Sequence, residues 1–295
     1  MAALEPRIEA IANELLDQVE ASGQLDLIQD LAYPLPVIVI AEMLGIPAQD
    51  RDRFKHWSDE ITASADSLLG DSGAHGQQAQ AEMAAYFRDI IAQRRAQPQD
   101  DLISALLAAE LNDEKLSEAD VVSLCWLLLV AGNETTTNLI GNAVLSLLEH
   151  PEEFARLRSN PALLNTAIEE TLRYRSPVQF MFRVTKVDAE LGGQTIPAGS
   201  MVMAGIGSAN RDEAKFSDPD RFDIARDPNP HIAFGHGNHF CLGAPLARVE
   251  ARVALTAIFD RLGDLRRAND DQLVPPKGFA VHGVKHLPLL FTPKP

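Results

Sequence analysis

One of the chain's two cysteines, Cys241, lies in the stretch AFGHGNHFCLGAPLAR, with Gly235 and Gly237 ahead of it and Gly243 behind. Glycine is needed where φ is positive or where another group must come close to the main chain. A helix is predicted to begin just beyond the cysteine, with Pro245 in its first turn, and the exposed N–H groups of a helix start favour a thiolate over a thiol. Four readings fit these residues. Cys241 is a structural cysteine beside a turn; or it joins His231, His236 and His239 around zinc, although their spacing lacks the paired Cys-x-x-Cys or His-x-x-x-His form. Alternatively it is a nucleophile, for which neither a base nor an oxyanion hole is identifiable. The fourth reading is a thiolate bound to haem iron, the bare glycines admitting a flat macrocycle.

Two further groups carry chemistry. In AGNETTT, Gly132 removes a side chain from an apolar helix, and Glu134 and Thr135 add an acid and a hydroxyl to it. Taken alone, these residues read as a polar turn at a helix kink. Glu170 and Arg173 form an i,i+3 pair, which by itself reads as a solvated helix face.

The stretch FGHGNHFCLGAPLAR resembles the cysteine-ligand loop of the cytochrome P-450 family, F-x-x-G-x-x-x-C-x-G, with the H-x-C and L-A-R of soluble bacterial members. Phe234, Gly237, His239, Cys241, Gly243 and Leu246-Ala247-Arg248 match it. AGNETTT is similar to the family's A-G-x-[ED]-T, and Glu170-x-x-Arg173 to its E-x-x-R, in the family's order. The resemblance implies a mainly α fold with a small β module, and haem b (iron protoporphyrin IX) ligated by Cys241. It further implies that Phe234, Gly243 and Ala131 border the haem and that Arg183 and His239 meet its propionates. Thr135 would hydrogen-bond dioxygen while Glu134 relays protons. Glu170 and Arg173 would lock the meander with a second arginine, Arg221 or Arg226. Leu128, Gly132, Val178, Phe180 and Phe279 would line the substrate pocket, with Trp57 and the helices beside the 69–80 loop as a lid. The implied reaction puts one atom of O₂ into an apolar small molecule by hydroxylation or epoxidation. Electrons would come from NAD(P)H through a ferredoxin- or flavodoxin-like carrier on the Cys241 side.

The elements that must position these residues are mostly helices. Leu4, Ile8, Ile11, Leu15 and Val19 recur at helical spacing, and ALEPRIEAIANELLDQVEASGQLDLI reads as an opening helix. PLPVIVIAEMLGIP predicts a short apolar helix closed by Gly45 and Pro47. PAQDRDRFKHWSDEITAS and QAQAEMAAYFRDIIAQRRA predict two amphipathic helices, with loop chemistry in LLGDSGAHGQQ between them. Ser117 with Asp120 starts a long helix by a capping box, and His150-Pro151 stops it. Its first half is apolar nearly all round, the pattern of a buried helix. PEEFARLRSNPALLNTAIEETLRYRSP adds two helices. From residue 178, β-branched residues with Gly-Gly and Pro-Ala-Gly turns predict short strands, followed by a proline-punctuated meander, a helix from Ala244 bearing Leu246, Val249 and Val253, and a strand-like tail. One domain over residues 1–295 is expected, helix-rich to 177 and with the β module, meander and cysteine loop in 178–295.

A net charge of -16 disfavours nucleic acid and anionic membranes as partners. Two cysteines argue against a disulfide framework and suit a cytoplasmic protein. The start, MAALEPRIEA, lacks a signal-peptide pattern. Against the family pattern, the chain is expected to begin at the helix after the arginine-bearing helix C, without the first strands and the pocket roof. The alternative to a working monooxygenase is therefore a non-catalytic haem- or ligand-binding fragment that requires an N-terminal segment, and self-association is expected through exposed core surface.

Overall fold

The computed structural model describes residues 3–50, 53–54, 56–57, 60–61, 73–111, 114–276 and 280–294. Helix α1, Glu5–Asp17, carries Pro6 in its first turn and buries Ile8, Ile11, Ala12 and Leu16. It ends earlier than its apolar spacing suggests, because Gly23 (φ +67°) turns the chain into strand β1, Gln24–Asp26. Helix α2, Pro34–Met43, is apolar on every side and buries Leu35, Val39 and Ile40. It stops at Gly45, whose φ is +70° and where a Cβ would lie 2.2 Å from Asp101 Oδ2, so conformation and space both demand glycine.

Helix α3 spans Gly73–Ala96, so part of the stretch with loop chemistry is helical. Gln77, Gln78 and Ala79 are adequate helix formers, and Gln78 donates to Glu82 Oε1 at 2.7 Å, one turn on. Residues 69–72 of the expected lid loop lie outside the described residues. Trp57 is core, not lid: it is buried, packs edge-on to Phe54 at 5.5 Å, and donates to Glu82 Oε2 at 3.1 Å. Short helix α4, Leu102–Ala108, is N-capped by Asp101, which also pairs with the buried Arg94. A small hairpin, β2 (Glu110–Leu111) with β3 (Glu114–Lys115), follows.

Helix α5, Glu118–Glu149, starts at the capping box that Ser117 and Asp120 predict and ends at His150. Its 32 residues make a rod of about 48 Å. Burial runs opposite to the sequence reading. From Thr136 to Leu147 every residue is buried, whereas the first half buries only the Val121, Cys125, Leu129 and Asn133 face. Leu127, half exposed, and Ala131 point the other way, so the apolar first half carries an open face.

Helices α6 (Pro151–Ser159) and α7 (Leu164–Tyr174) lead to strand β4, Phe180–Val184, which pairs antiparallel with β7, Met201–Gly205. Between them β5, Ala189–Leu191, and β6, Gln194–Ile196, form a hairpin around Gly192 and Gly193. After the turn α8, Ile206–Ala209, comes an irregular meander, then α9, Ala244–Arg261. Strand β8, Leu262–Arg267, and β9, Pro288–Pro293, complete an antiparallel sheet in the order β1-β9-β8, joining the two ends of the chain. One apolar cluster extends from Ile8 to Phe291 and a smaller one joins Phe154, Leu157 and Ala167 to Phe222 and Ile224. The fold is mainly helical with small sheets. Among the described residues, no helix is long and apolar enough to cross a membrane.

Candidate active site around Cys241

Helix α7 holds the meander that leads to the cysteine. Glu170 and Arg173 are fully buried, with Arg173 Nε donating to Glu170 Oε2 at 2.8 Å and Nη2 to Oε1 at 2.9 Å. The rest of the guanidinium donates to main-chain carbonyls of the meander: Nη1 to Asn210 O (2.9 Å) and Pro219 O (2.8 Å), Nη2 to Arg221 O (3.0 Å). Arg226 is the second arginine, its Nε donating to Oε2 and Oε1 of Glu170 at 3.1 and 3.2 Å. Arg221 does not take that place: its side chain faces solvent, near Asp223 at 3.9 Å, and it serves the network only through its carbonyl. The Asp223 N–H and Asn229 Nδ2 also donate to Glu170. So this pair is not a solvated helix face; it is the buried knot of the segment, and its paired charges satisfy what burial requires.

The cysteine loop then closes on itself. Gly235 and Gly237 have φ of +73° and +72°, the left-handed conformation that glycine adopts freely. A one-turn 3₁₀ segment, Gly237–His239, follows, and the Cys241 N–H donates to Phe234 O at 2.9 Å. Gly243, the N-cap of α9, has ordinary φ; a Cβ there would sit 3.9 Å from Cys241 Sγ, so glycine keeps the space beside the sulfur bare. Cys241 is partly exposed, whereas Cys125 is buried and its thiol is pushed up to about 12 by desolvation. Only Cys241 is placed for ligation.

The surroundings separate the four readings. His231 uses Nε2 on Glu169 Oε2 (2.9 Å), and its Nδ1 accepts from the Ala233 N–H (3.3 Å). Among the described residues no three His, Cys, Asp or Glu side chains converge on a metal position. Large exposed apolar side chains include Phe240 and Leu242 beside the cysteine, Met181, Phe182 and Val184 on β4, Met201 and Met203 on its partner β7, and Leu127 on α5. Arg183 and His239 are exposed among them, with Arg183 Nη1 donating to Phe182 O at 2.8 Å. One accessible thiol, side-chain-free backbone, apolar surface and exposed basic groups fit a large planar apolar macrocycle with an axial thiolate and anionic edges.

On α5, Thr135 Oγ1 donates to Ala131 O at 2.8 Å, leaving its lone pairs free to accept, and Glu134 is half-buried beside it. Ala131 lies on the open face. Gly132 does not: a Cβ there would meet Ile40 of α2 at an ordinary 3.6 Å, so this position faces α2 and not the open side. Leu128 is half-buried against the core. Val178 bridges Val281, and the Phe180 ring packs edge-on to Phe182 at 5.4 Å. Phe279 lies outside the described residues.

Two carboxylates emerge that the sequence did not single out. Glu250, on α9, is buried; desolvation pushes its carboxyl up to about 8, against a hydrogen bond with Thr136 that lowers it. Its position on the Leu246–Val253 stripe is the signal that would have found it. Glu169 binds both His231 and Arg248.

The comparisons with known proteins agree with this geometry. Residues 1–277 match the family described as cytochrome P-450. Cytochrome P-450 107B1 of Saccharopolyspora erythraea is 46% identical over 290 residues, covering 97% of this chain and 70% of that one. The vitamin D(3) 25-hydroxylase of Pseudonocardia autotrophica is 44% identical, covering 99% of this chain and 72% of that one. The crystal structure of CYP109E1 from Bacillus megaterium in complex with testosterone superposes with a TM-score of 0.92 at 44% identity, covering 98% of this chain and 79% of that one. With a glycine-bounded Cys241, a buried Glu170–Arg173 knot and relatives matching nearly its whole length, the chain belongs to the cytochrome P-450 family of haem-thiolate monooxygenases.

Proposed function

We propose that this chain binds haem b through Cys241 and hydroxylates or epoxidises an apolar small molecule in the cytoplasm. One atom of O₂ enters the substrate and the other leaves as water, using two protons and two electrons drawn from NAD(P)H through a ferredoxin- or flavodoxin-like carrier. The observation that carries this reading is Cys241 itself: an accessible sulfur on a loop opened by two left-handed glycines and flanked by exposed apolar side chains.

The haem supplies the oxygen-activating redox chemistry when bound. The chain's own residues supply placement and protons. Gly243 keeps the sulfur's neighbourhood clear. Arg183 and His239 are the hydrogen-bond donors for the propionates, since carboxylates leaving water need such partners. Thr135 accepts a hydrogen bond while its own O–H donates to Ala131 O, and Glu134, one position earlier, holds the carboxyl that passes protons inward. Leu128, Val178, Phe180 and Phe279 offer apolar contacts to a substrate. A hydrophobic, steroid-sized molecule is the favoured class, in keeping with the testosterone bound to CYP109E1 and the hydroxylase of vitamin D(3) among the relatives.

The test is reconstitution with haemin, reduction, and exposure to carbon monoxide. The expected result is a Soret band at the long wavelength of thiolate-ligated haem, abolished by Cys241→Ala. A band of neutral-thiol or histidine type in the unaltered chain, or no haem uptake, rejects the proposal.

A further inference from the structure

Helix α7 carries two adjacent glutamates with different tasks. Glu170 holds the meander, as described above. Glu169 faces the cysteine loop, and its single carboxylate meets both ends of it. Downstream of Cys241, Arg248 donates through Nε to Oε1 at 2.6 Å and through Nη2 to Oε2 at 2.8 Å, a bidentate pair. Upstream, His231 reaches Oε2 with Nε2 at 2.9 Å, and its ring is nearly fully buried. Because His231 Nδ1 accepts from the Ala233 N–H, the ring proton belongs on Nε2, where it donates to Glu169.

The clamp continues to the sulfur-bearing residue. The Arg248 guanidinium lies 4.5 Å over the Phe234 ring, and Phe234 O accepts the Cys241 N–H. We propose that Glu169 is a positioning residue: by tying His231 and Arg248 to one point on α7, it fixes the loop that presents Cys241. Burial alone would raise the Glu169 carboxyl, but the hydrogen bonds from Arg248 and His231, with the Arg248 charge, outweigh it and bring it down to about 2. The Arg248 cation is in turn strengthened, mainly by its hydrogen bond with Glu169, with the Cys241 charge as a smaller contribution. A ligand atom must be held to about half an ångström, and the groups that orient a metal ligand typically matter by 10–100-fold in affinity.

The inference rests on haem ligation by Cys241 for its spectroscopic reading, but one measurement needs no haem. In the haem-free chain, amide hydrogen exchange is followed at Cys241, whose N–H bonds Phe234 O, and at Ile232, whose N–H bonds Asn210 Oδ1 in the meander. Glu169→Gln keeps the size and one acceptor but loses the second, and His231→Gln removes the upstream arm alone. Both are expected to speed exchange at Cys241 roughly tenfold while Ile232 stays protected. In the haem-loaded protein, the same variants should lose haem about tenfold faster and shift part of the carbon monoxide spectrum towards the neutral-thiol band, with Glu169→Asp restoring part of the thiolate band. Unchanged exchange at Cys241, or equal acceleration at both amides, overturns the clamp. If the unaltered chain shows no thiolate band, haem ligation fails, while the exchange result still decides the role of Glu169.

Discussion

Glu170 and Glu250 are both buried glutamates on helices, and they could hardly be supplied more differently. Glu170 receives Arg173, Arg226, Asn229 and the Asp223 N–H. Glu250 has Thr136, and its Oε1 has no partner. Burial costs a carboxylate its water, and only donors replace that water. The first site therefore holds charge and turns it into shape, whereas the second is held neutral up to about pH 8. The contrast shows that depth alone does not tell what a buried acid does; the surrounding donors decide.

The contrast breaks or sharpens under substitution. Glu170→Ala strands the fully buried Arg173 without a counter-charge, and should cost about 3–5 kcal/mol, seen as a collapse of the urea midpoint. A loss below about 1 kcal/mol would mean that the knot is not holding the meander. For Glu250 the sign runs the other way. Its folded value of about 8 lies above the ordinary 4.5, so between these the unfolded chain releases a proton that the folded chain keeps. Stability then falls as pH rises through that window, by about 1.4 kcal/mol per pH unit. Glu250→Gln cannot titrate, so its stability relative to the unaltered chain should rise by roughly 3–4 kcal/mol between pH 5 and pH 8. Parallel stability curves for the two proteins would remove the difference between the sites. Arg226→Ala should cost about 2 kcal/mol by taking a charged donor from Glu170, whereas Arg221→Ala should stay within about 0.5 kcal/mol. Equal effects in thermal melts would blur the assignment of the second arginine.

What the sequence revealed follows how local each signal is. The cysteine loop was legible because its glycines, Cys241 and Pro245 lie within a dozen residues and answer to local backbone rules. The start of α5 was legible for the same reason: Ser117 and Asp120 bond one another. Pairing between β1 and β9 was not, since Leu25 meets Leu289 across almost the whole chain and no local pattern announces it. Composition also misled on the first half of α5, whose nearly all-round apolarity reads as a buried helix although Leu127 and Ala131 lie on an open face. Hydrophobicity marks surface that leaves water; it does not say whether protein or a bound group covers it. The choice between Arg221 and Arg226 needed coordinates, because both lie in one irregular stretch without a period to orient them.

Arg173 has one more consequence, for how this chain tolerates change. It grips the main-chain oxygens of Pro219 and Arg221, so the grip is indifferent to the side chains at those two positions. It is not indifferent to their spacing. Deleting a single residue between Asn210 and Pro219 shifts each later carbonyl by about 3.8 Å, beyond the reach of a guanidinium fixed on α7. The grip is thus open in its spelling at Pro219 and Arg221 and closed in its length: exchanges at those two positions should pass where a one-codon deletion does not.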